Sequence, residues 1–217
     1  GATQSNSPTF DSVNNKVVVA YEDDDNADKG TARVLTVSGT TISLGSTVIF
    51  EAGSTQYISA AFDSNAGKVV IAFRDVGNSN YGKAIVGTVS GTSISFGNAV
   101  TFESASTAWT SVAFDSDANK IVIAYMDDAN TDKGTAIVGT VSGTTISFGS
   151  PVIYSGSTEG NNNSISFDSN ANKVVIAYQD NLNGVGKFVV GTVSGTSISF
   201  GTPVDITGGQ TNNSGTP

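Results

Sequence analysis

The chain repeats one sequence unit four times, and this repetition restricts its fold more than any other feature. The triplet Phe-Asp-Ser recurs at spacings of 52, 52 and 53 residues, and the string Thr-Val-Ser-Gly recurs every 52 residues. The copies of the triplet begin at Phe10, Phe62, Phe114 and Phe167. A period of this length is typical of propellers, solenoids and other repeat arrays.

Each unit contains four segments with strand character. In the second copy, a short run rich in small residues (59–62) is followed by a continuous apolar run (68–73), a third run (83–89) and a strictly alternating fourth (93–96). Alternation predicts a strand with one dry face, and a continuous apolar run predicts a strand covered on both faces. No window has a helical period, so we expect almost no helix.

Four strands per unit predict an all-β fold, a four-bladed β-propeller with four antiparallel strands in each blade. The run of small residues suits the narrow axis, so we place it innermost. The predicted domain is 1–207, with blades at about 7–58, 59–110, 111–163 and 164–207, and residues 208–217 form a polar tail expected to be disordered. We expect closure by packing of the first blade on the fourth, without strand exchange. A β-solenoid or sandwich, and a fragment of a larger ring, are the alternatives.

Composition excludes several classes of chemistry. The chain has no Cys and no His, so it offers no disulfide, thiolate or imidazole base. Its net charge of −9 argues against binding nucleic acid through phosphates. No apolar run reaches the ~18 residues of a membrane helix, and no signal peptide opens the sequence, so we expect no membrane insertion.

The hairpin between the third and fourth strands, Val89-Ser90-Gly91-Thr92-Ser93-Ile94-Ser95-Phe96, resembles the Asp-box repeat of sialidase-like propellers. All four copies lack the Asp of the box, and Phe or Leu stands where it has Trp. Sialidases also need an arginine triad, whereas this chain has only Arg33 and Arg74. The repeat is similar, too, to those of uncharacterised viral and environmental surface or tail-associated proteins, which implies an extracellular or virion-associated setting.

Comparison of the copies separates the two edges of the predicted propeller. The turns joining strands one to two and three to four are nearly constant. The connections from strand two to three (22–30, 74–82, 126–134 and 179–186) and from strand four to the next strand one (51–57, 103–109 and 155–163) vary. We call the edge that carries these connections the variable face. Function concentrates in loops held by a rigid scaffold, so we expect a ligand there.

Aromatic and acidic residues at the variable face are the predicted ligand contacts. Tyr57 and Trp109 each lie five residues before the repeat Phe, and Tyr81 lies near them in sequence. An Asp ends the second strand of every unit. The predicted ligand-binding residues are Tyr57, Tyr81, Asp75, Trp109, Asp127 and Asp180. The alternative interpretation is structural: aromatic lids over the grooves between blades, and turn Asp residues that accept backbone hydrogen bonds.

Two loops are acidic enough to suggest calcium, the one cofactor considered. Their Asp and Asn side chains provide the oxygen ligands that calcium prefers, although neither loop matches an EF-hand. The candidate ligands are Asp23, Asp25, Asp127 and Asp132. A solvated acidic loop without metal is the alternative.

The leading functional hypothesis is a non-enzymatic module that binds a glycan or a surface protein through the variable face. No residues form a recognisable catalytic set. One competitor is a glycoside hydrolase that pairs Asp75 or Asp127 with an acid such as Asp128, because two carboxylates suffice for that reaction. The other is a structural spacer in a larger assembly.

Overall fold

A computed structural model describes residues 1–156 and 159–206, so the predicted tail at 208–217 lies outside the described residues. The described chain is an all-β protein with antiparallel strand pairing throughout. Its other elements are three single 3-10 turns, at Asp24–Asn26, Val76–Asn78 and Asp128–Asn130. No helix in these residues is long and apolar enough to span a membrane.

The strands follow the predicted order of four per unit. They are β1 (Thr3–Asp11), β2 (Lys16–Asp23), β3 (Lys29–Ser38), β4 (Thr41–Asp63), β5 (Lys68–Asp75), β6 (Tyr81–Ser90), β7 (Ser93–Phe96), β8 (Val100–Asp115), β9 (Lys120–Asp127), β10 (Lys133–Ser142), β11 (Thr145–Phe148), β12 (Val152–Ile153), β13 (Gly160–Asp168), β14 (Lys173–Asp180), β15 (Val185–Ser194), β16 (Ser197–Phe200) and β17 (Val204–Asp205).

The strands form four successive antiparallel sheets, one for each repeat. The first contains β1, β2, β3 and the start of β4, and the second contains the end of β4, β5, β6, β7 and the start of β8. The third contains the end of β8 with β9 to β12, and the fourth contains β13 to β17. Each sheet packs on the next through an apolar interface, which is a propeller-like arrangement.

Two of the predicted loops are strand. The connections at 51–57 and 103–109 lie inside β4 and β8, each of which pairs with one sheet at its start and with the next sheet at its end. These strands are long because their backbone groups find partners in both sheets, and a turn is therefore not required.

The first strands lie together at the centre, as their small residues predicted. Ser7, Ser59 and Ser111 each accept a hydrogen bond from a backbone N–H of the next sheet, at 2.9, 3.1 and 3.2 Å. Residues of all four first strands line a shared cavity of about 440 Å³. The four sheets thus radiate from a common region, with the first strand of each at the centre.

The predicted packing of the first sheet on the fourth is not formed in the described residues. Ile42 is 61% exposed, whereas the corresponding Ile94, Ile146 and Ile198 are at most 3% exposed. On the fourth sheet, Val190 is 47% exposed. One bond of the other interfaces cannot form here, because Pro8 occupies the position of the N–H donors above and has no N–H to give to Ser164.

The constant turns depend on the Asp of Phe-Asp-Ser. In every copy this Asp accepts backbone N–H bonds from the residues two and three positions later. A Lys ends the turn five residues after this Asp in every copy, and the sequence alone predicts a charge pair between the two. In the described residues this pair does not form: Lys16 donates to Thr36, and Lys120 and Lys173 donate to backbone carbonyls. The Asp is already occupied by the turn.

Replacing Ser111 with Ala tests the hydrogen bonds between the central strands. The change leaves the N–H of Ile165 without its acceptor, so we expect a loss of about 1 kcal/mol in the free energy of unfolding, measured with urea. Ser164→Ala is the matched control, since Pro8 offers no N–H there, and it should change stability by less than about 0.5 kcal/mol. Equal losses from the two variants would contradict this account.

Candidate functional site

A β-bulge at the same place in every first strand shapes the variable face. The pairing shifts between Gln4 and Ser7 in the first sheet, and at the equivalent places in the other three. One residue of each bulge has a left-handed backbone: Ser5 (φ 51°), Tyr57 (51°), Trp109 (55°) and Asn162 (50°). Bulges redirect a side chain, and positive φ at bulky residues is unusual enough to suggest a role.

The bulges bring two of the predicted ligand contacts together. The rings of Tyr57 and Trp109 lie 5.0 Å apart between centroids, at an interplanar angle of 52°. Both side chains are partly exposed. The hydroxyl of Thr110 donates to the carbonyl of Tyr57, and the amide of Asn163 donates to the carbonyl of Trp109 at 3.2 Å. The bulges at Tyr57 and Trp109 are thus each hydrogen-bonded to the following sheet.

Arg74 completes this group, which we call the aromatic site (Tyr57, Trp109 and Arg74). Its guanidinium lies 4.9 Å from the centroid of Tyr57, within the range of a cation–π interaction. It also donates to the side chain of Gln56 at 2.6 Å and to the carbonyl of Thr107 at 3.3 Å. These two hydrogen bonds hold the cation beside the Tyr57 ring.

A small polar cavity lies beside Tyr57. It has a volume of about 190 Å³ and is lined by Gln4, Ser5, Glu22, Gln56 and Tyr57. Glu22 is only 5% exposed. Burial raises its pKa, and the negative charges of Asp28 and Asp24 raise it further, while a hydrogen bond from Ser5 opposes the change. The cavity therefore presents amide, hydroxyl and carboxyl groups next to an aromatic ring.

The predicted Asp residues at the strand ends are buried. Asp75, Asp127 and Asp180 are 4%, 8% and 0% exposed. Lys83 lies 2.5 Å from Asp75, and Lys187 lies 2.9 Å from Asp180. Burial alone would raise the pKa of Asp180, but hydrogen bonds from Asn183 and Lys187 outweigh it and the pKa is lowered.

Asp127 differs from the other two. Burial and the negative charge of Glu103 raise its pKa, against the opposing backbone N–H groups of Asn130 and Ala129. Tyr81, the remaining predicted contact, begins β6 directly across from Asp75. In the part of the chain that the structure describes, Tyr81 forms no ring pair with Tyr57 or Trp109.

The candidate calcium ligands fall in two separate loops. In the first, the carboxylates that come within 4.8 Å of one another belong to Glu22, Asp24 and Asp28, rather than to Asp23 and Asp25. Asp25 is exposed and lies 3.7 Å from the N-terminal amino group. In the second loop, Asp132 follows the turn at Asp128–Asn130, and its pKa is raised by burial and by Asp128 and Glu159.

The sequence alone did not single out Glu22 and Arg74 as site residues. They share one repeat position with Met126 and Gln179, so no residue type recurs there. That variation was itself a signal, since the position lies beside the bulge in every unit. Glu103 was missed for another reason. It lies in a connection that the sequence predicted as loop, and its neighbours belong to the next sheet.

No family model and no curated protein matches the chain. Among solved structures, the chain is similar to an exo-beta-1,3-galactanase from Phanerochaete chrysosporium, determined with beta-1,3-galactotriose, at a TM-score of 0.53 and 11% identity. The match covers 88% of this chain and 47% of that one, so the chain spans about half the length of its structural neighbour. At this identity the likeness supports the propeller-like all-β fold.

Proposed function

We propose that the chain is a four-bladed propeller module that binds carbohydrate at the aromatic site. The observation that carries the proposal is the contact between Tyr57 and Trp109, whose partly exposed rings are held by two β-bulges and by Arg74. A sugar ring presents an apolar face of C–H groups, and rigid aromatic side chains bind such a face with little loss of conformational entropy.

The polar groups next to the aromatic rings fit the hydroxyls of a sugar. The cavity beside Tyr57 offers the amides of Gln4 and Gln56, the hydroxyl of Ser5 and the carboxyl of Glu22. A binding site for a polar ligand needs a few such groups in fixed positions. The galactotriose bound to the structural neighbour supports carbohydrate as the class of ligand and makes β-1,3-galactan the first probe. An extracellular or virion-surface role agrees with a ligand of this kind.

Replacing Trp109 with Ala is the direct test. We expect the affinity for β-1,3-galacto-oligosaccharides, or for whichever glycan on a mixed array binds the native chain, to fall at least tenfold, which is about 1.4 kcal/mol. Trp109→Phe keeps a ring and should retain most of the binding. Phe188→Ala removes a 41% exposed aromatic from the fourth sheet and should leave binding unchanged. Absence of binding by the native chain to any glycan would overturn the proposal.

Glycoside hydrolysis is a second candidate, favoured by Glu22. A buried carboxyl with a raised pKa beside a polar cavity is the environment of a general acid, and Asp24 and Asp28 approach it within 4.8 Å. Release of reducing sugar from a bound oligosaccharide, abolished by Glu22→Gln, would establish this function. Binding without release, unaffected by the same substitution, would leave the module non-enzymatic.

A further inference from the structure

The repeats place a buried Asp and a Lys at equivalent positions in two of the sheets. Lys83 lies across from Phe73 in the second sheet, and Lys187 lies across from Tyr178 in the fourth. Each ammonium group contacts the Asp at the end of the second strand, Asp75 or Asp180. In both sheets a buried carboxylate thus has a cation supplied by the protein.

The third sheet has the buried carboxylate without this ion pair. Thr135 lies across from Tyr125, which is the position of the Lys in the other two sheets. Asp127 is nevertheless 92% buried, and its Oδ1 has no hydrogen-bond partner among the described residues. Lys133 lies directly across the strand pair from Asp127, but neither Lys133 nor any other Lys or Arg forms an ion pair with Asp127 in the described part of the chain. Backbone N–H groups of Asn130 and Ala129 face this carboxylate, but among the residues described no cation does. A buried carboxylate without a counter-charge is costly, so the position favours a positive charge.

A second carboxylate comes from the neighbouring sheet. Glu103, in β8, pairs through its backbone with Gly82 of the second sheet. Its Oε2 accepts a hydrogen bond from Tyr125 of the third sheet at 3.2 Å. Tyr125 and Asp127 lie two residues apart on β9, on the same face of the strand, and the charge of Glu103 acts on Asp127. Two acidic side chains therefore lie on the side of the third sheet that faces the second sheet, and Tyr125 contacts one of them.

We propose that Asp127 and Glu103 bind a Ca²⁺ ion between the second and third sheets, in the position that Lys83 and Lys187 occupy in the neighbouring sheets. The donors are hard oxygen atoms, as calcium requires, and backbone carbonyls and water can complete its six to eight ligands. The ion neutralises the buried charge and ties two sheets together. The site is separate from the aromatic site, so it stands or falls independently of carbohydrate binding.

The first sheet does not carry the same inference. Thr31 occupies the position of the Lys there as well, but its Asp23 is partly exposed, so water can stabilise the charge. The inference thus rests on the third sheet, where burial and a second carboxylate coincide.

The test compares thermal unfolding of the full chain after removal of metal with EDTA. Adding CaCl₂ at about a hundredfold excess over its Kd should raise the Tm of the native chain by roughly 5 to 10 °C, whereas NaCl of equal ionic strength should not. MgCl₂ should have a smaller effect, because Mg²⁺ demands a stricter octahedral geometry. Titration calorimetry with CaCl₂ should give one binding event.

Two variants identify the site. Asp127→Asn should abolish the Tm shift by calcium. Thr135→Lys should also abolish it and should raise the Tm of the metal-free chain, since the new ammonium reproduces the arrangement of Lys83. Asp117→Asn removes a carboxylate from an exposed turn of the same sheet and should keep the full shift.

The proposal is overturned if the native chain gains no stability from calcium, or if the gain persists in both Asp127→Asn and Thr135→Lys. Stabilisation by lowering the pH from 7 to 5, without any effect of calcium, would also overturn it, because a proton would then neutralise the carboxylate pair. Thr135→Lys retains both acidic residues, so the test remains decisive even if Asp127→Asn fails to fold.

Discussion

Gly97→Ala should destabilise the chain by about 3 kcal/mol, the upper part of the range for overpacking, and lower the Tm by about 6 to 12 °C. A Cβ at this position would overlap the backbone carbonyl of Thr144 in the next sheet. A backbone atom cannot rotate away as a side chain can, so the two sheets must separate locally. Urea unfolding monitored by the fluorescence of Trp109 measures the effect.

The same contact recurs between every pair of successive sheets. A Cβ added to Gly45 would overlap the carbonyl of Thr92, and a Cβ added to Gly149 would overlap that of Thr196. Gly149→Ala should therefore cost about as much as Gly97→Ala. The repeat keeps Gly after its fourth strand because the turn of the next unit packs against the backbone there.

Gly201→Ala is the matched control for this prediction, and it also tests closure of the ring. Gly201 is the equivalent residue of the fourth sheet, where the nearest atom to an added Cβ is the carbonyl of Val190 at 3.9 Å. We expect a change of less than about 0.5 kcal/mol. A loss as large as that of Gly97→Ala would contradict this expectation and show that the first sheet packs on the fourth in solution.

The sequence predicted the strands well because their pattern repeats. The alternating fourth strand at Ser93–Phe96 is dry at Ile94 and wet at Ser95, and the apolar run at Lys68–Asp75 is buried on both faces. The predicted disposition of the small residues also agrees with the central position of the first strands. Because the pattern occurs in four copies, a strand that is ambiguous in one copy can be assigned from the other three.

What the sequence could not predict depends on neighbouring units. A continuous strand through 51–57 requires backbone hydrogen-bond partners in two successive sheets, and no single repeat unit contains both sets of partners. The uncovered faces of the first and fourth sheets are seen in the exposure of Ile42 and Val190, whereas the repeats by themselves suggest that all four interfaces are alike. Differences between copies carried the missing information.

The candidate site, too, was predicted only in part from the sequence. The offset of Tyr57 and Trp109 from the repeat Phe predicted that both lie at the variable face. Their contact depends on the bulges and on the spacing between sheets, which a linear pattern does not contain. Asp75 and Asp180 were predicted as ligand contacts or turn residues, but each forms an ion pair with a Lys across the strand pair, eight and seven residues later. Only the register of the sheet reveals these ion pairs.

Lys187→Met should lower the free energy of unfolding by about 3 kcal/mol at pH 7, the lower part of the range for breaking a buried ion pair. Asp180 is fully buried, and Lys187 provides the ammonium 2.9 Å from its Oδ2. Met keeps the apolar length of the side chain, so the loss reports the charge. Asn183 still donates to both carboxylate oxygens, at 3.2 and 2.9 Å, which limits the damage.

The pH dependence of this loss identifies its cause. The pKa of Asp180 is lowered in the folded chain, so its ionised form stabilises the fold above the unfolded value of about 3.9, and this contribution is lost as the pH falls through the folded pKa. The difference between native chain and Lys187→Met should therefore be largest near neutral pH and should shrink below about pH 4. Lys173→Met removes the same charge from a side chain that, among the residues described, bonds the carbonyl of Asn172 and no acidic group. It should cost less than about 1 kcal/mol at every pH. A loss from Lys187→Met that stays constant down to pH 2 would instead assign the effect to packing, because protonation of Asp180 would then leave it unchanged.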